Sequence, residues 1–155
     1  MADTAVTIAA TRVTSLSEQE AAATGYNTRF RVLYTDIAYG TGSSDTVTMT
    51  LGATPTNWYI NAGLVNISTA FAGTTALSII VGTTSSTAAL ISSTSILTAA
   101  TLNETVGTPI LTNLKATAAV NLVATFTNAT GGSPSALTAG QLDIYANVQN
   151  LATMP

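Results

Sequence analysis

The chain has 155 residues, no Cys and no His, and only 7% of its residues are charged, for a formal net charge of −3. The lack of Cys excludes a disulfide framework, thiolate metal sites and a cysteine nucleophile, and the lack of His removes the commonest general base and metal ligand. Four basic residues, Arg12, Arg29, Arg31 and Lys115, are too few for a nucleic-acid footprint.

Length argues for one domain with a short arm, large enough to bury a core without staples. Thr makes up about a fifth of the chain. It is β-branched and polar, so it covers the solvent face of a strand without charge. Free monomers normally stay soluble through charge, so a neutral, Thr-rich surface suits packing beside copies of itself or a partner. No run approaches the ~20 apolar residues of a membrane helix, and no membrane partner is expected. Residues 1–6 lack the basic flank and apolar segment of a signal peptide, which predicts synthesis in a cytoplasm. Glycosylation triplets beginning at Asn66, Asn103 and Asn128 are then expected to be chance.

Residues 5–13 alternate Val6, Ile8 and Ala10 with threonines and alanines. They read as an extended arm or as the first strand of the protein's own sandwich, and Val6, Ile8 and Val13 are the candidate partner-binding residues of the arm. Ser17-Glu18-Gln19-Glu20 has capping-box spacing and is followed by three alanines and Gly25, which predicts two helical turns ended by glycine. So short a helix must dock on something. Residues 28–39 read as one strand, with Phe30, Val32 and Tyr34 on one side and Arg29, Arg31 and Leu33 on the other. Residues 40–44 are a Gly/Ser loop. Residues 45–51 form the cleanest half-buried strand, ended by Gly52-Ala53-Thr54-Pro55.

Residues 58–84 hold two apolar runs on either side of Ala72-Gly73-Thr74-Thr75, which predicts an antiparallel hairpin at the centre of the fold. Residues 85–102 fit a short helix or a ragged strand, and neither period wins. Residues 108–114, 119–126 and 140–148 are three more strands, with a Gly/Ser/Pro loop over 127–139. About eight strands with turn signals between them predict an all-β, single antiparallel β-sandwich of jelly-roll type, with a short N-terminal arm and helix. The arm covers residues 1–26 and the sandwich residues 27–155. Its expected core is Phe30, Val32, Val47, Met49, Val65, Ile67, Ile79, Val81, Leu122, Phe126, Leu142 and Ile144.

The chemistry-bearing residues are sparse. Asp36 and Asp45 flank one loop and could form a carboxylate pair, but a turn cap and a strand start explain them as well. Tyr34, Tyr39, Trp58, Tyr59 and Tyr145 could make a sugar-stacking platform, although aromatics on sandwich strands are more often core or interface anchors. Arg29 and Arg31 share a strand face and are expected to pair with Asp or Glu, on this chain or the next. Arg29, Arg31, Tyr34, Trp58 and Tyr59 are the candidate interface. No catalytic set, cofactor or metal site is expected.

Three segments carry a resemblance: AFAGTTALSIIVGTT from Ala70 to Thr84, VNLVATFTNATGG from Val120 to Gly132, and LTAGQLDIYANV from Leu137 to Val148. They resemble the small jelly-roll-like decoration, or cement, proteins of tailed bacteriophages over residues 58–150. Residues 1–27 carry no matching motif. The resemblance implies a structural virion protein made in the host bacterial cytoplasm. It would form a homotrimer and bind the major capsid protein on the outside of the capsid. The alternative class is a phage fibre-type or carbohydrate-binding recognition module.

Overall fold

The alternation of β-branched and apolar residues with threonine and serine dictates strands, and the capping box dictates the first helix. The computed structural model describes residues 5–39, 45–54, 58–98, 120–128 and 133–150. In chain order these form β1 (Ala5–Ala9), β2 (Val13–Ser15), α1 (Glu18–Thr24), β3 (Thr28–Leu33), α2 (Tyr34–Ile37) and β4 (Thr46–Thr54). They continue with β5 (Trp58–Ala72), β6 (Ser78–Thr83), β7 (Ser86–Ser95), β8 (Val120–Thr127), a 3-10 turn (Pro134–Ala136) and β9 (Ala139–Asn150). Among the described residues there is one five-stranded sheet, in the order β1-β4-β8-β6-β7, and one four-stranded sheet, β2-β3-β9-β5. The two pack face to face as a β-sandwich, with all twelve expected core residues buried between them. No described helix is long and apolar enough to cross a membrane.

The four-stranded sheet is antiparallel throughout. The five-stranded sheet is mixed, because β1 runs parallel to β4 from Ala5 opposite Thr46 to Ala9 opposite Thr50. The expectation of a purely antiparallel sandwich is therefore corrected at this edge. Residues 5–13 are also not one strand. The chain leaves the five-stranded sheet after Ala9 and joins the other sheet at Val13, so residues 5–15 contribute an edge strand to each.

The largest correction concerns residues 58–84. β5 pairs with β9 in one sheet, and β6 pairs with β7 and β8 in the other, so the two are not a hairpin. Residues 73–77 cross from sheet to sheet instead. The crossing is held where the Phe71 N–H donates to the Ile96 carbonyl and the Ile96 N–H to the Leu77 carbonyl. Alternation reports which face of a strand is buried; it does not report which edge is paired. Two strands facing each other across a core read like two lying side by side.

The adjacent hairpin is β6–β7, closed at Thr84-Ser85. β7 resolves the ambiguity over residues 85–102 in favour of a strand. Its register against β6 shifts between Ile79 and Val81 and again before Thr83, and such bulges erase the period of two that would have marked it. β3 is shorter than expected: it ends at Leu33, and Tyr34 opens the helical turn α2. β4 is longer, continuing past a register shift at Gly52 to Thr54. The strand expected over 108–114 and the loop over 40–44 lie outside the described residues.

Candidate functional site

The outer face of the four-stranded sheet brings together Arg29, Arg31, Asp143 and Tyr145. Phe30 and Val32 of β3, Leu142 and Ile144 of β9, and Val65 and Ile67 of β5 all turn into the core. Their alternates therefore turn outward. Strand register sets those alternates in rows. One row runs Thr14, Arg29, Tyr145, Leu64, and the next runs Arg31, Asp143, Asn66.

Arg31 grips Asp143 with two hydrogen bonds, Nε to Oδ1 at 2.8 Å and Nη2 to Oδ2 at 2.9 Å. This fork-to-fork geometry is the strong form of the pair. The Asp143 side chain is 5% exposed and Arg31's is 39% exposed, so the guanidinium lies over the carboxylate as a lid. The hydrogen bond to Asp143, and then its charge, hold the Arg31 pKa above its ordinary value. Tyr145 stands one residue pair along, and its ring meets that of Tyr26 at a centroid distance of 6.0 Å and a tilt of 42°. That separation falls within the range of favourable aromatic pairs.

Arg29 sits between Thr14 and Tyr145 along this row. Its Nε is buried and donates no hydrogen bond to a described residue. The residue as a whole is partly exposed, and its two Nη nitrogens are not among the buried, unpartnered side-chain atoms. Glu20 of α1 feels its charge. That carboxyl is held below its ordinary pKa first by the Ser17 N–H and hydroxyl, and then by Arg29.

The other candidates are placed as follows. Asp36 accepts a hydrogen bond from the Leu33 N–H at 2.8 Å and an ion pair from Arg12, so it caps α2 and ties the sheet edge to it. Asp45 is buried at the start of β4, where it accepts from the Ser133 hydroxyl at 3.1 Å and its carbonyl takes the Asn128 N–H. These are the turn-cap and strand-start roles. Tyr34 packs against the core from the first position of α2, and Tyr39 is exposed. Backbone pairing places Trp58 opposite Asn150 and Tyr59 opposite Gln149 at the far end of β5, and their side chains lie outside what is described. Val6 and Ile8 are partly buried on β1, with Ile8 against the core, whereas Val13 on β2 is 50% exposed. Asn128 is fully buried, which closes that triplet to a glycan; Asn103 lies outside the described residues.

The structure thus brings Arg29 and Arg31 together with Tyr145, and does not bring Tyr34 to the same face. Sequence reading missed Tyr26, Asp143 and Asn66 as members of this surface. Asp143 alternates with Leu142 and Ile144, which signals an outward position, but its pairing with Arg31 depends on a register 112 residues apart in sequence. Elsewhere the described surface offers a shallow cavity of about 260 Å³ beside Leu77, Leu97 and Thr127. Among the described residues no three carboxylates gather in a metal-binding cluster. No protein-family model, no curated protein and no solved structure matches the chain.

Proposed function

We propose that this is a structural virion protein that decorates or cements the outside of a bacteriophage capsid, working as a homotrimer bound to the major capsid protein. The observation that carries the reading is a surface of strands clothed in threonine, serine and asparagine rather than charge, on a chain that is 46% apolar. Such a surface is poorly suited to a free monomer and well suited to packing against identical or closely apposed subunits. The three segments that resemble decoration proteins support it, since they fall on the end of β5 and β6, on β8, and on β9. The jelly-roll connectivity belongs to the same proposal. Its support is the way the chain alternates between sheets, as at β3 to β4, β4 to β5, β5 to β6 and β8 to β9. The site of action is the capsid surface, after synthesis in the host bacterial cytoplasm.

Co-sedimentation with purified phage capsids lacking their decoration protein tests the reading. Saturable binding at a fixed number of copies per capsid is the expected result, and protein left wholly in the supernatant would defeat it. The second reading, a fibre-type or carbohydrate-binding module, is favoured by the Tyr26–Tyr145 pair next to the Arg31–Asp143 bridge. Aromatic faces beside fixed hydrogen-bonding groups are what sugar rings need. Binding to a glycan array, with no binding to capsids, would select it.

A further inference from the structure

Three arginines lie among the described residues, and two of them are spoken for. Arg12 hydrogen-bonds Asp36, and Arg31 clasps Asp143. The third, Arg29, has its Nε buried without a hydrogen-bond partner, in a chain where charge is otherwise scarce. That nitrogen is sealed from an approaching partner, so the two Nη groups are the donors left for one. The charge facing it from α1 is Glu20, which accepts the N–H and hydroxyl of Ser17 at the helix cap. Arg31, two residues along β3, adds a positive charge that its own Asp143 offsets.

We infer that Arg29, set beside Tyr145 and the Tyr26 ring, is the anchor by which this sheet face takes a side-chain carboxylate from the acidic surface of a partner protein. The chemistry selects the ligand. A guanidinium that offers its two Nη groups end-on matches a two-oxygen acceptor of single charge, through a different edge of the fork from the Nε–Nη2 edge that Arg31 turns to Asp143 one row away. A single arginine without an ion pair to a described residue does not balance a dianionic phosphate, and a chain of net charge −3 repels a polyanionic strand. Tyr and Arg together are also the residues that carry most of the binding energy at protein interfaces. The identity of the partner as a capsid protein rests on the function proposed above; the carboxylate chemistry does not.

The test is a titration of the full-length, ¹⁵N-labelled protein with an acetylated hexapeptide amide that carries a single glutamate among glycines and serines, followed at the Arg29 side-chain resonances and at the Tyr145 ring. A saturable shift at both is expected, weakened as salt rises because the pairing is electrostatic. Arg29→Gln is expected to weaken binding at least tenfold with the amide spectrum still dispersed. Arg29→Lys, which keeps the charge but loses the fork, should fall between, and Tyr145→Ala should cost several-fold. No saturable shift in the wild type, or a shift of equal affinity in Arg29→Gln, overturns the inference. Capsid co-sedimentation of the same variants separates the two proposals. Peptide binding without capsid binding sinks the decoration reading alone, and capsid binding with no saturable peptide shift sinks this one alone.

Discussion

Asp143 shows how much a single outward position can matter. Its carboxylate is nearly sealed from water under Arg31, so removal of Arg31 leaves a buried acceptor without its donors. Arg31→Ala should destabilise the fold by about 1–3 kcal/mol, towards the lower end because Arg31 itself is 39% exposed and solvent screens the pair. Urea unfolding followed by tryptophan fluorescence measures this, and a midpoint unchanged from wild type would refute it. Gly140 makes a sharper case. It has φ +144°, and a Cβ placed there would lie 2.4 Å from the Phe71 ring, so Phe71 seats itself on the bare backbone of β9. Gly140→Ala should therefore be strongly destabilising, and Phe71→Ala should cost about 3–5 kcal/mol through the cavity it leaves. In the double variant the clash is gone and the backbone strain remains. The two effects should sum to less than their separate values, and a strictly additive cycle would show that the ring and the glycine are not coupled.

At the scale of elements, α1 is the one whose sequence signal and structure coincide residue by residue. Ser17 accepts from the Glu20 N–H, Glu20 reaches back to the Ser17 N–H at 3.1 Å, and Gly25 ends the helix at φ +77° with its N–H on the Ala21 carbonyl. Ser17→Ala should cost about 1 kcal/mol. Glu20 is held below its ordinary pKa, so its contribution is present above the ordinary carboxylate range and is lost as pH falls through the depressed value. Thermal unfolding at pH 7 and pH 3 should show a smaller acid-induced drop for Ser17→Ala than for wild type. A capping box is legible because every group in it lies within four residues. β4 was legible for a similar reason, since Val47, Met49 and Leu51 alternate with threonines over a regular pairing. β7 was not, because bulges broke its period, and the β5–β6 relation was not, because edge pairing leaves no mark on alternation. The outer face was half legible. Arg29 and Arg31 show themselves as neighbours on one strand, but Asn66 and Asp143 reach them only through the register of β9 against β3 and β5, and Tyr26 joins through its ring contact with Tyr145. For the core the alternation sufficed, and Ile79, fully buried between the sheets, should cost about 2–5 kcal/mol on replacement by Ala.

At the scale of the whole molecule, the first twenty-five residues pose the question of what binds and what merely completes the fold. β1 lies on β4, β2 lies on β3, and α1 is the connection from β2 to β3. Deleting residues 2–24 would leave the main pairings of both sheets, β4–β8–β6–β7 and β3–β9–β5, and with them nearly all the buried core. The truncated chain should therefore fold, with a loss of stability from the uncovered flank of Ile8 and Ala10, which pack against that core. It should also expose the outer backbone edges of β3 and β4. Such edges pair readily with other chains, and this protein has few charges to discourage them. Light scattering should report a trimer for the full chain and larger or mixed species for the truncated one. If residues 2–24 act as a partner-gripping arm, through Val6, Ile8 and the exposed Val13, the folded truncated protein should no longer sediment with capsids. Retained binding at full affinity would reduce these residues to edge strands of their own sandwich. The partner surface would then have to be sought on the sheet face that carries Arg29 and Tyr145, where Arg29→Gln in the truncated chain should abolish what binding remains.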